Sequence, residues 1–256
     1  MSKDYFSDQA ADYAQYRPHY PDSLFEYLST LCAERRLVWD CGTGNGQAAV
    51  ALTKYFEQVI ATDVSAAQLA QALAHSQVSY RLAPAENNGI ADHTLDLVVA
   101  AQALHWFNQE RFYSEVKRSL KPTGIVAVWC YELMQISPTI DRFVQHFYAK
   151  IVGPHWPPER QMIEDRYQTI TFPFRAIAAP AFQMEATWTF EQMLGYLNTW
   201  SATQRFLRRR QIHPVNLIQD DLARAWGDLG DSKQVIWPLY LRLGRPHPRL
   251  YTVRLP

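Results

Sequence analysis

Between residues 37 and 130 the apolar positions along the chain change period in a regular way. Short apolar runs at 37–41, 58–62, 78–82, 95–100 and 125–130 read as strands, and the spacing between them switches to 3.6 residues. That second spacing predicts helices at 47–55, 66–74 and 109–120, with Lys121-Pro122-Thr123-Gly124 as the turn into the fifth strand. Ahead of them, Pro21-Asp22-Ser23 opens an amphipathic helix with Leu24, Phe25, Leu28, Leu31 and Cys32 on one face. Strands apolar on both faces and alternating with helices predict a parallel sheet covered on both sides, a doubly wound α/β fold.

After residue 130 the alternation stops. Residues 138–181 read as helical or irregular, interrupted by Pro154, Pro157, Pro158, Pro173 and Pro180, and strand patterns return only at 182–190 and 234–243. The expectation is one domain over 1–256 with a mainly parallel, seven-stranded sheet. It divides into an N-terminal arm and helix (1–36), a cofactor-binding core (37–130), a helical insertion or lid between strands 5 and 6 (131–181), and edge strands with substrate-side helices (182–256). Residues 1–20 and 131–180, aromatic but broken by proline, read as a mobile cover.

The composition adds exclusions. With 25 Lys+Arg against 25 Asp+Glu, the formal charge is zero, so the broad basic field of a non-specific nucleic-acid binder is missing. The balance is uneven along the chain: residues 1–130 hold 10 basic and 14 acidic side chains (net −4), and residues 131–256 hold 15 and 11 (net +4). The longest apolar run, residues 125–131, is far shorter than the roughly 20 residues that span a bilayer. The start MSKDYFSDQAADY has no apolar core of a secretory signal. Three unpatterned cysteines, Cys32, Cys41 and Cys130, suit a reducing compartment. A cytoplasmic protein without a membrane span is expected. Histidine and cysteine spacing offers no local metal-ligand set, so no metal is expected.

The chemistry concentrates where the first strand ends. Leu37-Val38-Trp39-Asp40-Cys41 runs into Gly42-Thr43-Gly44-Asn45-Gly46 and then a helical pattern, and glycines there let the backbone turn sharply and approach a ligand. The second strand ends in Asp63, 17 residues past Gly46, where a carboxylate can accept both hydroxyls of a ribose. The spacing is G-x-G-x-G and not the dinucleotide G-x-G-x-x-G, and Asp40 stands where a pyrophosphate would be repelled. A ligand with a ribose, an ammonium and no phosphate fits better. Asp40 either orients the loop through backbone N–H groups or meets the ammonium through water. Cys41 reads as a small apolar strand residue, and Arg208-Arg209-Arg210 as a solvated helix face.

The run Val38 to Ala48, VWDCGTGNGQA, resembles the first motif of the class I S-adenosylmethionine-dependent methyltransferases. Asp63, Ala83-Pro84-Ala85-Glu86, Gly89-Ile90-Ala91-Asp92 and Leu95-Asp96-Leu97-Val98 agree with that pattern. Gln102-Ala103-Leu104-His105-Trp106-Phe107, Tyr16-Arg17-Pro18-His19-Tyr20-Pro21 and Leu197-Asn198-Thr199-Trp200-Ser201 are similar to the trans-aconitate methyltransferase subgroup. The resemblance implies S-adenosyl-L-methionine as cofactor. It places Gly42 and Gly44 along the methionine, Asp63 on the ribose, Ala85 and Glu86 along the adenine, and Ala101 and Gln102 near the sulfonium. Arg17 is a candidate partner for the cofactor carboxylate. His105 and Trp106 lie where a doubly wound sheet binds ligands. Either His105 positions or polarises the acceptor with Trp106 as an apolar wall, or both belong to the packing behind the site.

The expected acceptor is a small molecule with an oxygen nucleophile, most plausibly a carboxylate, anchored by arginines such as Arg142, Arg175, Arg205 or Arg208. Nucleic acid is disfavoured as the acceptor, because Ala100-Ala101-Gln102-Ala103 follows the fourth strand where amino-methylating nucleic-acid enzymes carry Pro-Pro-aromatic. Two rivals remain: a nucleic-acid methyltransferase using the basic second half, and a non-catalytic cofactor-binding scaffold.

Overall fold

A computed structural model describes residues 18–247. Helix α1 (Asp22–Leu31) buries Leu24, Phe25 and Leu28, spaced to share one face. Then follow β1 (Leu37–Cys41), α2 (Gln47–Leu52), β2 (Gln58–Asp63), α3 (Ala66–Ala70), β3 (Val78–Leu82), β4 (Leu95–Ala101), α4 (Gln109–Ser119) and β5 (Leu120–Tyr131). After β5 come α5 (Pro138–His146), a π-helical turn (Phe147–Ile151), α6 (Arg160–Glu164), β6 (Arg175–Ile177), β7 (Phe182–Trp188), α7 (Phe190–Asn198), α8 (Ser201–Arg210), α9 (Gln219–Trp226) and β8 (Lys233–Arg245).

The strand order is β3-β2-β1-β4-β5-β8-β6, parallel through β5 and antiparallel from β8 outward. The expected seven-stranded width is present, but its outermost place is shared. Leu239 of β8 faces Tyr131 of β5 and Phe182 of β7, and Leu243 faces Ala127 of β5 and Ile177 of β6. Strands β6 and β7 therefore run in tandem along one edge of β8. The break between them holds Pro180, which has no N–H to give to a ladder.

The strands alternate strictly between two cores. Val38, Leu97, Val99, Ile125, Ala127 and Trp129 face one, together with α1 and α2; Trp39, Val98, Ala100, Val126, Val128 and Cys130 face the other, together with Phe112 and Val116 of α4. Both faces of the central strands are dry, which explains their continuous apolar runs. Among the described residues no helix is long and apolar enough to cross a membrane.

One expectation changes. The 121–124 segment falls inside β5 as a bulge: Leu95 pairs with Leu120 and Leu97 already with Ile125, so the turn residues bow out of the ladder without starting it. The insertion packs into both cores. Ile140, Val144, Phe147 and Val152 are buried in the first core, and Ile163, Tyr167 and Ile170 in the second. Prolines start its helices more than they break them, as Pro138 does at the first turn of α5 behind the Ser137 cap. The part of the expected cover before residue 18 lies outside the described residues.

Candidate active site

The loop after β1 is fastened to the end of β2. The N–H groups of Gly42 and Thr43 both donate to the Thr62 carbonyl, at 2.9 and 3.0 Å. Asp63 continues the clamp: its two carboxylate oxygens accept the N–H groups of Gly44 and Ser65, each at 2.9 Å. Gly42 adopts φ +70, and a Cβ there would lie 2.6 Å from that of Ala103, so the loop packs against the exit of β4 only as glycine.

Asp40 sits beneath this loop, fully buried, and accepts the Thr43 hydroxyl at 2.5 Å. Burial pushes its pKa up to about 7 against the opposing Thr43 hydrogen bond, and the Asp63 charge adds to the rise. It does not line the cavity above. Asp40 thus holds the loop through the Thr43 hydroxyl, and strand alternation turns its side chain towards the Val38 side of the sheet.

Above the carboxyl ends of β1, β2 and β4 lies a cavity of about 620 Å³, within the range of small-molecule sites. Gly42, Gly44, Asp63, Ala85, Glu86, Ala101, Gln102 and Trp106 all line it, together with Pro18, Tyr20 and Tyr131. Glu86 accepts the Asn108 N–H at 2.7 Å, joining its loop to the start of α4. Below that loop Arg118 bonds Glu115, Asp92, Asn88 and the Ile90 carbonyl, so one guanidinium fixes residues 88–92. Arg17 lies outside the described residues.

Gln102, Trp106 and Tyr131 line this cavity on one side and, on the other, a second chamber of about 60 Å³. Gln102 adopts φ +54, and its amide is occupied twice by the Tyr131 backbone: Nε2 donates to the carbonyl at 3.2 Å and Oε1 accepts the N–H at 2.9 Å. Gln102 therefore sets the position of Tyr131. The second chamber is walled by Trp106, Tyr131, Trp156, Tyr196 and Trp200, with His105, Glu132 and Arg160 as its ionisable groups. Arg160 donates through Nε to the Tyr148 hydroxyl at 2.9 Å and stacks on Tyr148 and Trp156, at 5.3 and 4.7 Å from the ring centres. Glu132 is already paired with Arg166 and accepts the Tyr240 hydroxyl. His105 is buried, its Nδ1 2.8 Å from the Tyr167 hydroxyl. Burial, with the nearby Arg160 cation, holds its pKa down to about 3.

The structure thus joins eight of the expected residues around one cavity and sets His105 against the adjoining chamber. The arginines expected to anchor the acceptor do not reach it. Arg142, Arg175 and Arg208 are exposed on α5, β6 and α8, and Arg205 donates to the His155 carbonyl. Arg160, Tyr131 and Tyr167 escaped the sequence reading. In the sequence, Trp156, Trp188, Trp200, Trp226 and Trp237 all lie after residue 130, and two of them, Trp156 and Trp200, wall the chamber.

The residues present fit S-adenosylmethionine. Asp63 lines the cavity at the carboxyl end of β2, where a carboxylate can accept ribose hydroxyls. Residues 39–128 match the methyltransferase domain model. A Dictyostelium discoideum protein assigned as a methyltransferase is 34% identical over 94% of this chain and 95% of its own. A solved structure from Anaeromyxobacter dehalogenans, assigned as a type II methyltransferase, is 40% identical, covers 90% of this chain and 99% of its own, and superposes with a TM-score of 0.84. A Saccharomyces cerevisiae protein assigned as S-adenosylmethionine-dependent is 33% identical over 56% of this chain and 53% of its own. With the glycine loop, the acidic end of β2 and the sheet order in place, the chain belongs to the class I S-adenosylmethionine-dependent methyltransferases and is such an enzyme.

Proposed function

We propose that the acceptor is a small carboxylic acid, methylated on oxygen, whose carboxylate enters the second chamber. The observation that carries this reading is the charge of that chamber. Glu132 is paired with Arg166, whereas Arg160 is oriented by stacking and by Tyr148, and among the described residues its terminal amino groups have no partner, which leaves them for an anion. In the same reading Gly42 and Gly44 bound the methionine part, Asp63 holds the ribose, and Ala85 and Glu86 lie along the adenine. Ala101, Gln102 and Trp106 border the transferred methyl. The similarity to trans-aconitate methyltransferases supports the acceptor class, with Arg160 in place of the arginines expected from sequence.

The bound cofactor supplies a methyl group already activated on sulfonium, so that a new O–C bond forms as the C–S bond breaks and its electrons stay on sulfur. The protein's own work is alignment and the exclusion of water. A carboxylate is ionised at neutral pH, which suits a chamber where no described side chain is placed to remove a proton. The aromatic walls and the 60 Å³ volume admit the carboxylate end while the remainder stacks along tryptophan.

A panel of small acids, alcohols, phenols and amines with methyl-labelled cofactor tests this. Labelled product should be released by mild alkali, as a methyl ester is. Arg160→Ala should lower kcat/KM for the acid by about 10- to 150-fold, the loss of a hydrogen bond to a charged group, without changing cofactor affinity. Alkali-stable product, or an unaffected Arg160→Ala enzyme, would refute the carboxylate reading.

A further inference from the structure

The Tyr167 hydroxyl is completely buried, and among the described residues it meets one hydrogen-bonding group, His105 Nδ1 at 2.8 Å. A hydroxyl has one hydrogen, and a buried donor left without an acceptor is costly. Were Nδ1 the donor, the hydroxyl hydrogen would have no acceptor; with Nδ1 accepting, both groups are satisfied. A neutral imidazole that accepts at Nδ1 carries its own hydrogen at Nε2, and His105 is the imidazole that lines the second chamber.

We propose that Tyr167 is a positioning residue that fixes His105 as an Nε2–H donor into the second chamber, so that His105 grips the acceptor oxygen and takes no proton from it. This rests on the reading of the chamber as the acceptor site and sharpens it: the enzyme selects acceptors whose nucleophilic oxygen is ionised before binding.

The chain around Tyr167 is built to hold that hydroxyl still. Arg166 and Tyr167 both adopt left-handed backbone, φ +55 and +57, an unfavourable conformation for two consecutive side-chain-bearing residues. Arg242 of β8 locks the turn by donating to the carbonyls of Tyr167 and Ile170, each at 2.6 Å. Arg166 reaches back to Glu132 on the chamber wall and stacks on Tyr240. Other groups around the pair leave the assignment in place. Arg160 is a cation beside His105 and opposes protonation of the ring, and Cys130 and Tyr113, which face Tyr167, are buried with their own pKa values pushed up to about 12. Both the hydrogen-bond geometry and the burial of the ring keep His105 neutral.

The test reads the tautomer directly. In protein labelled with ¹⁵N-histidine, the His105 ring, identified by its loss in His105→Gln, should show hydrogen on Nε2 and no titration between pH 5 and 8. In Tyr167→Phe the ring hydrogen should spread over both nitrogens. With a working acceptor, Tyr167→Phe should raise acceptor KM about tenfold at unchanged cofactor affinity. His105→Gln, which keeps an N–H donor near the Nε2 position, should also raise acceptor KM about tenfold, and His105→Ala, which keeps none, should raise it further. A general base would instead show a loss of 10²- to 10⁴-fold in His105→Gln. An Nδ1–H ring, a ring titrating between pH 5 and 8, or a tautomer indifferent to Tyr167→Phe would overturn the proposal. Because the tautomer is read without any acceptor, failure of every acid to be methylated would count against the proposed acceptor alone.

Discussion

Two glycines with nearly the same backbone make a matched pair of perturbations. Gly42 and Gly89 have φ +70 and +66, so alanine at either pays the same left-handed penalty, about 1–2 kcal/mol. Each also gains about 0.4–1 kcal/mol from a stiffer unfolded chain. Their surroundings differ. A Cβ at Gly89 meets nothing within 4 Å, whereas at Gly42 it falls 2.6 Å from the Ala103 Cβ and 3.0 Å from the Phe107 ring. Neither neighbour is the free end of a flexible chain, so relief requires the β4 exit to move, an overpacking cost of about 1–3 kcal/mol. Gly89→Ala should therefore destabilise by about 1 kcal/mol, and Gly42→Ala by about 2–4. Urea denaturation with an unchanged m-value measures the difference, which corresponds to roughly 2–12 °C in Tm at this chain length. Ala103 and Phe107 also line the main cavity, so calorimetry should show weakened S-adenosylhomocysteine binding in Gly42→Ala and not in Gly89→Ala. Equal destabilisation, or full cofactor affinity in Gly42→Ala, would refute the argument that the loop is closed by contact with the β4 exit.

The buried Asp40, with its pKa raised from 3.8 to about 7, favours the folded state when protonated. Its contribution is complete below pH 4 and is lost as pH rises through 7, so the stability of Asp40→Asn relative to wild type should grow between pH 4 and 8; parallel pH profiles would refute this. Removing Arg118 as Arg118→Met leaves Glu115, Asp92 and Asn88 without their shared donor and should weaken cofactor binding several-fold by calorimetry, through the 84–92 loop. All three cysteines are free and buried, and burial pushes the Cys32 thiol up to about 12. Native protein should therefore react with a thiol reagent only at its opening rate, and prompt labelling of any one cysteine would show its burial to be wrong.

The central strands were legible because burial on both faces leaves an apolar run with polar ends, and β1 matches its expected bounds residue for residue, as does the largely exposed edge strand β3. Strand β6 was not legible. Its three residues, Arg175, Ala176 and Ile177, carry no period, and only pairing with β8 makes them a strand. The glycine loop and Asp63 could be read because their chemistry is local, one turn and one strand end. Tyr131, Arg160 and Tyr167 could not, since the second chamber is assembled from segments whose spacing follows from packing. Asp40 shows the limit between the two: adjacency to the loop is visible in sequence, but the side of the strand from which it acts is set by the pleat.

The place of β8 in the sheet bears on how the chain folds during synthesis. Strand β8 pairs with β5, β6 and β7, and Ile236 also bridges to Gln135. Until residues 233–245 leave the ribosome, β5 lies at the rim of a half-built sheet, with residues 126–131 lacking their partner on one side. That stretch, Val126-Ala127-Val128-Trp129-Cys130-Tyr131, is uncharged, rich in β-formers and free of proline, the composition that pairs readily with other chains. The nascent protein therefore depends on protection of this rim, by a chaperone or by speed, and truncation before residue 233 should send the expressed chain to inclusion bodies.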